Sequence, residues 1–214
     1  MNAAGLVTAS DGASRGRIYL LRHGAVRFSD TEKRYIGQQD LPLSGEGLRQ
    51  ARAWAGYFAE APPEAIFSSD LERCLETARL IGRRCKLDPQ PHRELREVAL
   101  GTWEGETFAA LKACDPDAFK ARGDHIADHR PPGGESFRDL QQRVWPFFET
   151  TVLRVPEEVL LVTHAGIIRV LLCRLLGLPL ENLFAVGLSY GALSIVDVRP
   201  SGCRLQALNL PAPE

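Results

Sequence analysis

Ile18-Tyr19-Leu20-Leu21-Arg22-His23-Gly24 sets four consecutive apolar residues before two polar ones and a glycine. An apolar run of this length is the pattern of a strand buried on both faces, whose carboxyl end here delivers Arg22 and His23. Glu158-Val159-Leu160-Leu161-Val162-Thr163-His164-Ala165-Gly166 has the same form and turns into an apolar helix over 167–176. A third strand, Ala65-Ile66-Phe67, is followed by the N-cap candidates Ser68-Ser69-Asp70 and by a helical face of Leu71, Cys74, Leu75, Ala78 and Ile81. Arg73 falls in the first turn of that helix. Ser44 precedes another helical face made of Leu48, Ala51, Ala55 and Phe58. Strands alternating with helices predict an α/β fold, a three-layer α/β/α arrangement around a mostly parallel twisted sheet. Ligands of such sheets bind beyond the carboxyl ends of the strands, where His23 and His164 both sit.

Outward from these units, residues 192–198 and 204–208 predict a closing hairpin across Pro200-Ser201-Gly202, which gives the sheet an antiparallel edge. Residues 1–16 read as a flexible N-terminal tail and residues 17–210 as a single domain. Residues 86–134, rich in Pro, Gly and charge, read as a helical and loop insertion over one end of the sheet. Ser136 opens a helix toward Leu153, in which Pro146 implies a kink or a break.

The 214 residues suit one core of ordinary size. Apolar residues are 44% and charged residues 25%, which argues against disordered, collagenous and coiled-coil classes. A formal net charge of −1 creates no field for nucleic acid or an anionic membrane. Of the cations 22 are Arg and 4 are Lys, a bias that genome composition produces as readily as phosphate binding does. Five scattered cysteines without CxxC spacing suit reduced thiols and a cytoplasmic location. No signal-peptide pattern begins the chain, and the longest apolar stretch, 159–176, is broken by Thr163, His164, Arg169 and Arg174, so no membrane span is expected.

Three sets of residues could carry chemistry. Gly187-Leu188-Ser189-Tyr190-Gly191 matches the G-x-S-x-G elbow of serine hydrolases, but no strand precedes it and no His follows it, so it reads as a Gly-rich turn. His125 and His129 have the i, i+4 spacing of a metal pair, but Ile126 stands where a metalloprotease has Glu, and a solvated polar face is the better reading. No metal site is expected. The third set is Arg22, His23, Arg73, Glu97 and His164. Two Arg and two His converging on one sheet end would concentrate donors for a tetrahedral dianion, and Gly24 would let phosphate approach the backbone.

The order of motifs resembles the histidine phosphatase superfamily, also called phosphoglycerate mutase-like, from Arg17 to about Leu208. The matching blocks are Leu21-Arg22-His23-Gly24, Gly37-Gln38-Gln39-Asp40-Leu41-Pro42-Leu43-Ser44, residues 68–78 around Arg73, Leu95-Arg96-Glu97 with Gly101-Thr102-Trp103-Glu104-Gly105, Pro132-Gly133-Gly134-Glu135-Ser136, and Val162-Thr163-His164-Ala165-Gly166. Their wording is most similar to the branch containing alpha-ribazole phosphatases of cobalamin biosynthesis. The resemblance implies a phosphomonoester hydrolase that needs no cofactor or metal, with His23 as nucleophile, Glu97 as general acid, and His164, Arg22 and Arg73 around the phosphate. Ser29 stands where many members have a phosphate-binding Asn, and Ala25-Val26 replaces Glu-Thr. Arg27, Tyr35 and Gln38 lie in the loop expected to border the mouth and to touch substrate. The implied partner is a small-molecule phosphomonoester, alpha-ribazole 5′-phosphate foremost, with a homodimer the commonest assembly. The alternatives are a broad sugar-phosphate or nucleotide phosphatase, a phosphoglycerate mutase, disfavoured by the short interval after Glu97, and a non-catalytic phosphate binder.

Overall fold

The computed structural model describes residues 16–28, 31–155, 157–199 and 202–214. Six strands form one sheet: β1 (Arg17–Arg22), β2 (Ala65–Ser69), β3 (Gln90–His92), β4 (Glu158–Thr163), β5 (Leu193–Arg199) and β6 (Gly202–Leu210). Their order is β3-β2-β4-β1-β5-β6. The first four run parallel, β5 is antiparallel to β1, and β6 is antiparallel to β5, so the expected antiparallel edge is present. Pro200 and Ser201, where the hairpin turn was expected, lie outside the described residues, as does the expected tail apart from Gly16.

Period-2 alternation in β1 divides its side chains between two cores. Tyr19 and Leu21 join Phe58 of α1 (Gly45–Glu60) and Ile81 of α2 (Glu72–Cys85) on one face. Ile18 and Leu20 join Val144 and Phe148 of α5 (Phe137–Thr150) and Leu171 of α6 (Ala165–Leu176) on the other. Each such fully buried Leu, Ile or Phe contributes roughly 1.5–3 kcal/mol of transfer free energy. The two smaller helices, α3 (Phe108–Cys114) and α4 (Pro116–Asp124), lie in the segment between β3 and α5.

Three sequence readings change. The segment beginning at residue 86 does not lie wholly over the sheet end, because Gln90-Pro91-His92 pairs with β2 as the edge strand β3. An edge tolerates Pro91, whose missing N–H would interrupt a central ladder. Helix α5 runs through Pro146 without a break and ends at Thr150, before a 3₁₀ turn at Val152–Arg154. Helix α2 has Leu71 as N-cap residue and is not capped by its own Ser or Asp; the Asp40 carboxylate, 32 residues upstream, accepts from Glu72 N–H at 2.9 and 3.1 Å. Ser44 caps α1 as expected, accepting from Gly47 N–H.

Candidate active site

Strand register brings the candidate residues together. Arg22 pairs with Thr163 across β1 and β4, and His23 N–H donates to the Thr163 carbonyl. The residues that follow are therefore neighbours, and the His23 and His164 rings meet edge to face with centroids 5.1 Å apart. β2 ends beside β4, so that Ser69 Oγ lies 2.9 Å from His164 Nε2. Arg73, in the first turn of α2, is 1% exposed. Its Nη1 donates to the Gln39 carbonyl at 2.7 Å, and its Nη2 donates to the Gly37 carbonyl at 2.6 Å and to His164 Nδ1 at 3.2 Å.

These partners fix both imidazole tautomers. A carbonyl only accepts, so His23 Nδ1, 2.8 Å from the Gly24 oxygen, carries the proton and leaves the Nε2 lone pair uncommitted. A guanidinium only donates, so His164 Nδ1 accepts from Arg73 and its Nε2–H donates to Ser69 Oγ. Burial first, then Arg73 and Arg22, hold His23 well below the ordinary histidine pKa. Burial, Arg73 and His23 do the same to His164. Arg22 Nη1 donates to the Leu188 carbonyl at 2.7 Å, and its guanidinium lies 3.7 Å from the centre of the Tyr190 ring. The Nε atoms of Arg22 and Arg73 are buried without a partner, so two cations keep unmet donors at one sheet end.

A stability prediction follows from the two neutral histidines. The unfolded chain takes up a proton on each near pH 6.5, whereas the folded site excludes it. Stability is therefore full above about pH 6.5 and falls as pH drops below it, by about 1.4 kcal/mol per pH unit for each histidine. Thermal melts from pH 7.5 to 5.5 should show a declining Tm, with a shallower decline in His164→Asn. A decline identical in wild type and variant would show that His164 is protonated in the folded state.

Glu97 reaches the site at Gly166, in the first turn of α6 and two residues after His164. Its carboxylate accepts from Val98 N–H at 2.9 Å and from Gly166 N–H at 3.0 Å. With Gly166, Tyr35, Arg122 and Arg169 it lines a cleft of about 320 Å³. Of the expected substrate contacts, Tyr35 lines this cleft, buried and stacked on Phe108. Gln38 instead ties the loop down, its amide donating to the Glu97 carbonyl at 3.1 Å. Arg27 is exposed and does not line the cleft. Ser29 lies outside the described residues. Gly24 is also required by packing, because a Cβ there would sit 2.4 Å from the Gly47 oxygen of α1. His125 and His129 do not join a metal cluster; among the described residues no three His, Cys, Asp or Glu are placed to hold an ion, and His129 stacks on Trp103. Among the described residues no helix is long and apolar enough to cross a membrane.

Residues 18–211 match the model of the histidine phosphatase superfamily (branch 1). The chain belongs to this superfamily. A glucosyl-3-phosphoglycerate phosphatase of Mycolicibacterium vanbaalenii is 37% identical over 174 residues, 78% of this chain and 76% of that one. The adenosylcobalamin/alpha-ribazole phosphatase of Escherichia coli is 28% identical over 194 residues, 90% and 95% of the two chains. The native structure of a mycobacterial glucosyl-3-phosphoglycerate phosphatase superposes with a TM-score of 0.81 at 32% identity, covering 91% of this chain and 99% of that one. This histidine phosphatase is accordingly a phosphomonoester hydrolase.

Several residues that organise this histidine phosphatase site carry no chemical motif. Leu188 and Tyr190, which hold Arg22, belong to the Gly-rich turn that mimics a serine elbow, and Gly191 N–H donates to the His23 carbonyl. The Glu104 carboxylate accepts from the N–H groups of Gly37, Gln38, Gln39 and Leu100, fixing the loop whose carbonyls hold Arg73. Arg143 forks onto Glu135 and donates to the Arg96 and Glu97 carbonyls, anchoring the general-acid candidate from behind. A sequence signal existed for Glu104 and Glu135, which lie inside matched blocks. None existed for Tyr190 or Arg143.

Proposed function

We propose that this enzyme hydrolyses phosphomonoesters through a phosphohistidine on His23, without a metal ion. The observation that carries the reading is the pinned tautomer: Nδ1–H on the Gly24 carbonyl and a free Nε2 lone pair on an imidazole held neutral. Nε2 attacks phosphorus as the ester P–O bond breaks, and Glu97 as a carboxylic acid gives its proton to the departing alkoxide. Water then attacks the phosphoryl group, its proton passes to Glu97, and the P–N bond breaks to restore neutral His23 and release inorganic phosphate. Arg22 and Arg73, each with an unmet Nε–H, balance the charge on the equatorial oxygens, which carry most of it in a loose transition state, and neutral His164 orients the Arg73 fork beside them.

Glu97→Gln tests the acid role through the leaving group. With an alkyl phosphate the departing alkoxide is strongly basic, and loss of the proton donor should lower kcat/KM by about 10²–10⁴-fold. With p-nitrophenyl phosphate, whose leaving group needs no proton, the loss in kcat/KM should be under about tenfold. Equal losses on both would remove Glu97 from the acid role. Alpha-ribazole 5′-phosphate, the substrate suggested by the wording of the sequence blocks, and glucosyl-3-phosphoglycerate, after which the more similar relatives are named, are the first two substrates to compare.

A further inference from the structure

Arg122, on α4, is 9% exposed, and its Nη1 is buried without a hydrogen-bond partner. None of the hydrogen bonds or ion pairs among the described residues involves its side chain. It is surrounded instead by rings, its guanidinium carbon 5.4 Å from the centre of Phe137, 5.6 Å from Tyr35 and 5.8 Å from Trp103. Ring faces stabilise a desolvated cation, but they accept no forked hydrogen bonds. A buried charge without a direct partner is costly, so folded proteins pair such groups or reserve them for a ligand.

Among the described residues no acid of the cleft pairs directly with Arg122, although the Glu97 charge favours its cation. Glu97 is the one acid in its wall, and both its oxygens already accept backbone N–H groups. A second cation, Arg169, lines the same cleft, with its Nε on the Val186 carbonyl and its guanidinium 5.0 Å from the Phe184 ring. The cleft reaches Glu97, which puts it on the leaving-group side of the site described above. A phosphomonoester that places its phosphoryl group at His23 would extend its alcohol portion past Glu97 toward these two arginines.

We propose that Arg122, supported by Arg169, binds a second anionic group carried by the leaving alcohol, a carboxylate or a second phosphate. The inference rests on the phosphomonoesterase reading and narrows it to acidic substrates. A neutral leaving alcohol would fill the aromatic cleft and leave Arg122 without a direct partner, whereas a carboxylate or phosphate offers two acceptor oxygens to its planar fork.

Two substrate pairs test this. 3-Phosphoglycerate and glycerol 3-phosphate differ by a carboxylate, and 1,3-propanediol bisphosphate and 3-hydroxypropyl phosphate by a second phosphate. Wild-type enzyme should favour the acidic member of at least one pair by about tenfold or more in kcat/KM, the gain expected of one charge-assisted fork. The pair that shows the preference identifies the group. In Arg122→Met the ratio should collapse toward one, and in Arg122→Lys, which keeps the charge but loses the fork, it should be intermediate. A wild-type ratio near one for both pairs overturns the proposal even if neither variant folds. A ratio that survives in Arg122→Met overturns the assignment to Arg122 and leaves a packing role against the three rings. Failure of wild-type enzyme to hydrolyse any phosphomonoester, p-nitrophenyl phosphate included, would overturn the phosphatase reading itself, a result distinct from loss of the charge preference alone.

Discussion

His23→Ala is expected to lower kcat on phosphomonoesters by on the order of 10⁴-fold or more, about 5.4 kcal/mol of barrier, and to abolish the phosphoenzyme. The size follows from the lack of a substitute nucleophile. His164 is the nearest imidazole, but its Nδ1 lone pair accepts from Arg73 and its Nε2–H is committed to Ser69. Cys74 packs against His164 with Sγ 3.3 Å from Nε2, yet burial pushes its thiol far above the range in which a thiolate forms. Labelled phosphate should remain on wild-type protein after an alkaline quench and be released by acid, the behaviour of a P–N bond, and it should be absent from the variant. Truncation removes one ring that touches His164 and Tyr190 without uncovering a charge, so the fold should persist, with a Tm near that of wild type. Retention of activity within tenfold, or labelled phosphate on His23→Ala protein, would place the nucleophile elsewhere.

That the nucleophile candidate can be found from the sequence has a simple physical origin. A parallel strand buried on both faces must be apolar until it leaves the sheet, so the first polar residues after such a run mark the sheet's carboxyl end. Arg22-His23 and Thr163-His164 both obey this, and the register of β1 on β4 makes them neighbours. Ser44 was legible for a similar reason, since its cap bond to Gly47 N–H spans three residues. What the chain does not announce is long-range. Asp40 caps α2 from 32 residues upstream, and Tyr190 reaches Arg22 from a turn that a motif search mistakes for a different chemistry. β3 escapes notice because Gln90-Pro91-His92 has no apolar alternation, and a three-residue edge strand needs none. Arg122 is the extreme case. In sequence it is one of several Arg residues in a charged segment, and only the packing of α4 beneath Tyr35, Trp103 and Phe137 makes it a buried cation with an unpartnered Nη1.

The second large effect is expected at Arg73, where one guanidinium serves both architecture and chemistry. Arg73→Ala should lower kcat/KM by about 10³-fold or more, the scale seen when a cation that balances a transferring phosphoryl group is removed. It should also destabilise the protein by about 3 kcal/mol, because the Gly37 and Gln39 carbonyls and His164 Nδ1 lose their donor in a buried setting. Arg73→Lys can satisfy one of these acceptors but not the fork, so it should recover part of the stability and little of the rate. The two roles separate at Glu104, whose carboxylate holds the same loop by three backbone N–H groups and Leu100 by a fourth, all of them backbone contacts. If Arg73 acted only by fixing the loop, Glu104→Gln would reproduce its full loss of rate. If Arg73 meets the phosphoryl oxygens, Glu104→Gln should lower Tm with at most about a tenfold effect on kcat/KM, while Arg73→Ala alone removes the rise in Tm on adding vanadate or inorganic phosphate. A phosphate-dependent Tm rise preserved in Arg73→Ala would leave anion binding to Arg22 and reduce Arg73 to a brace for the loop.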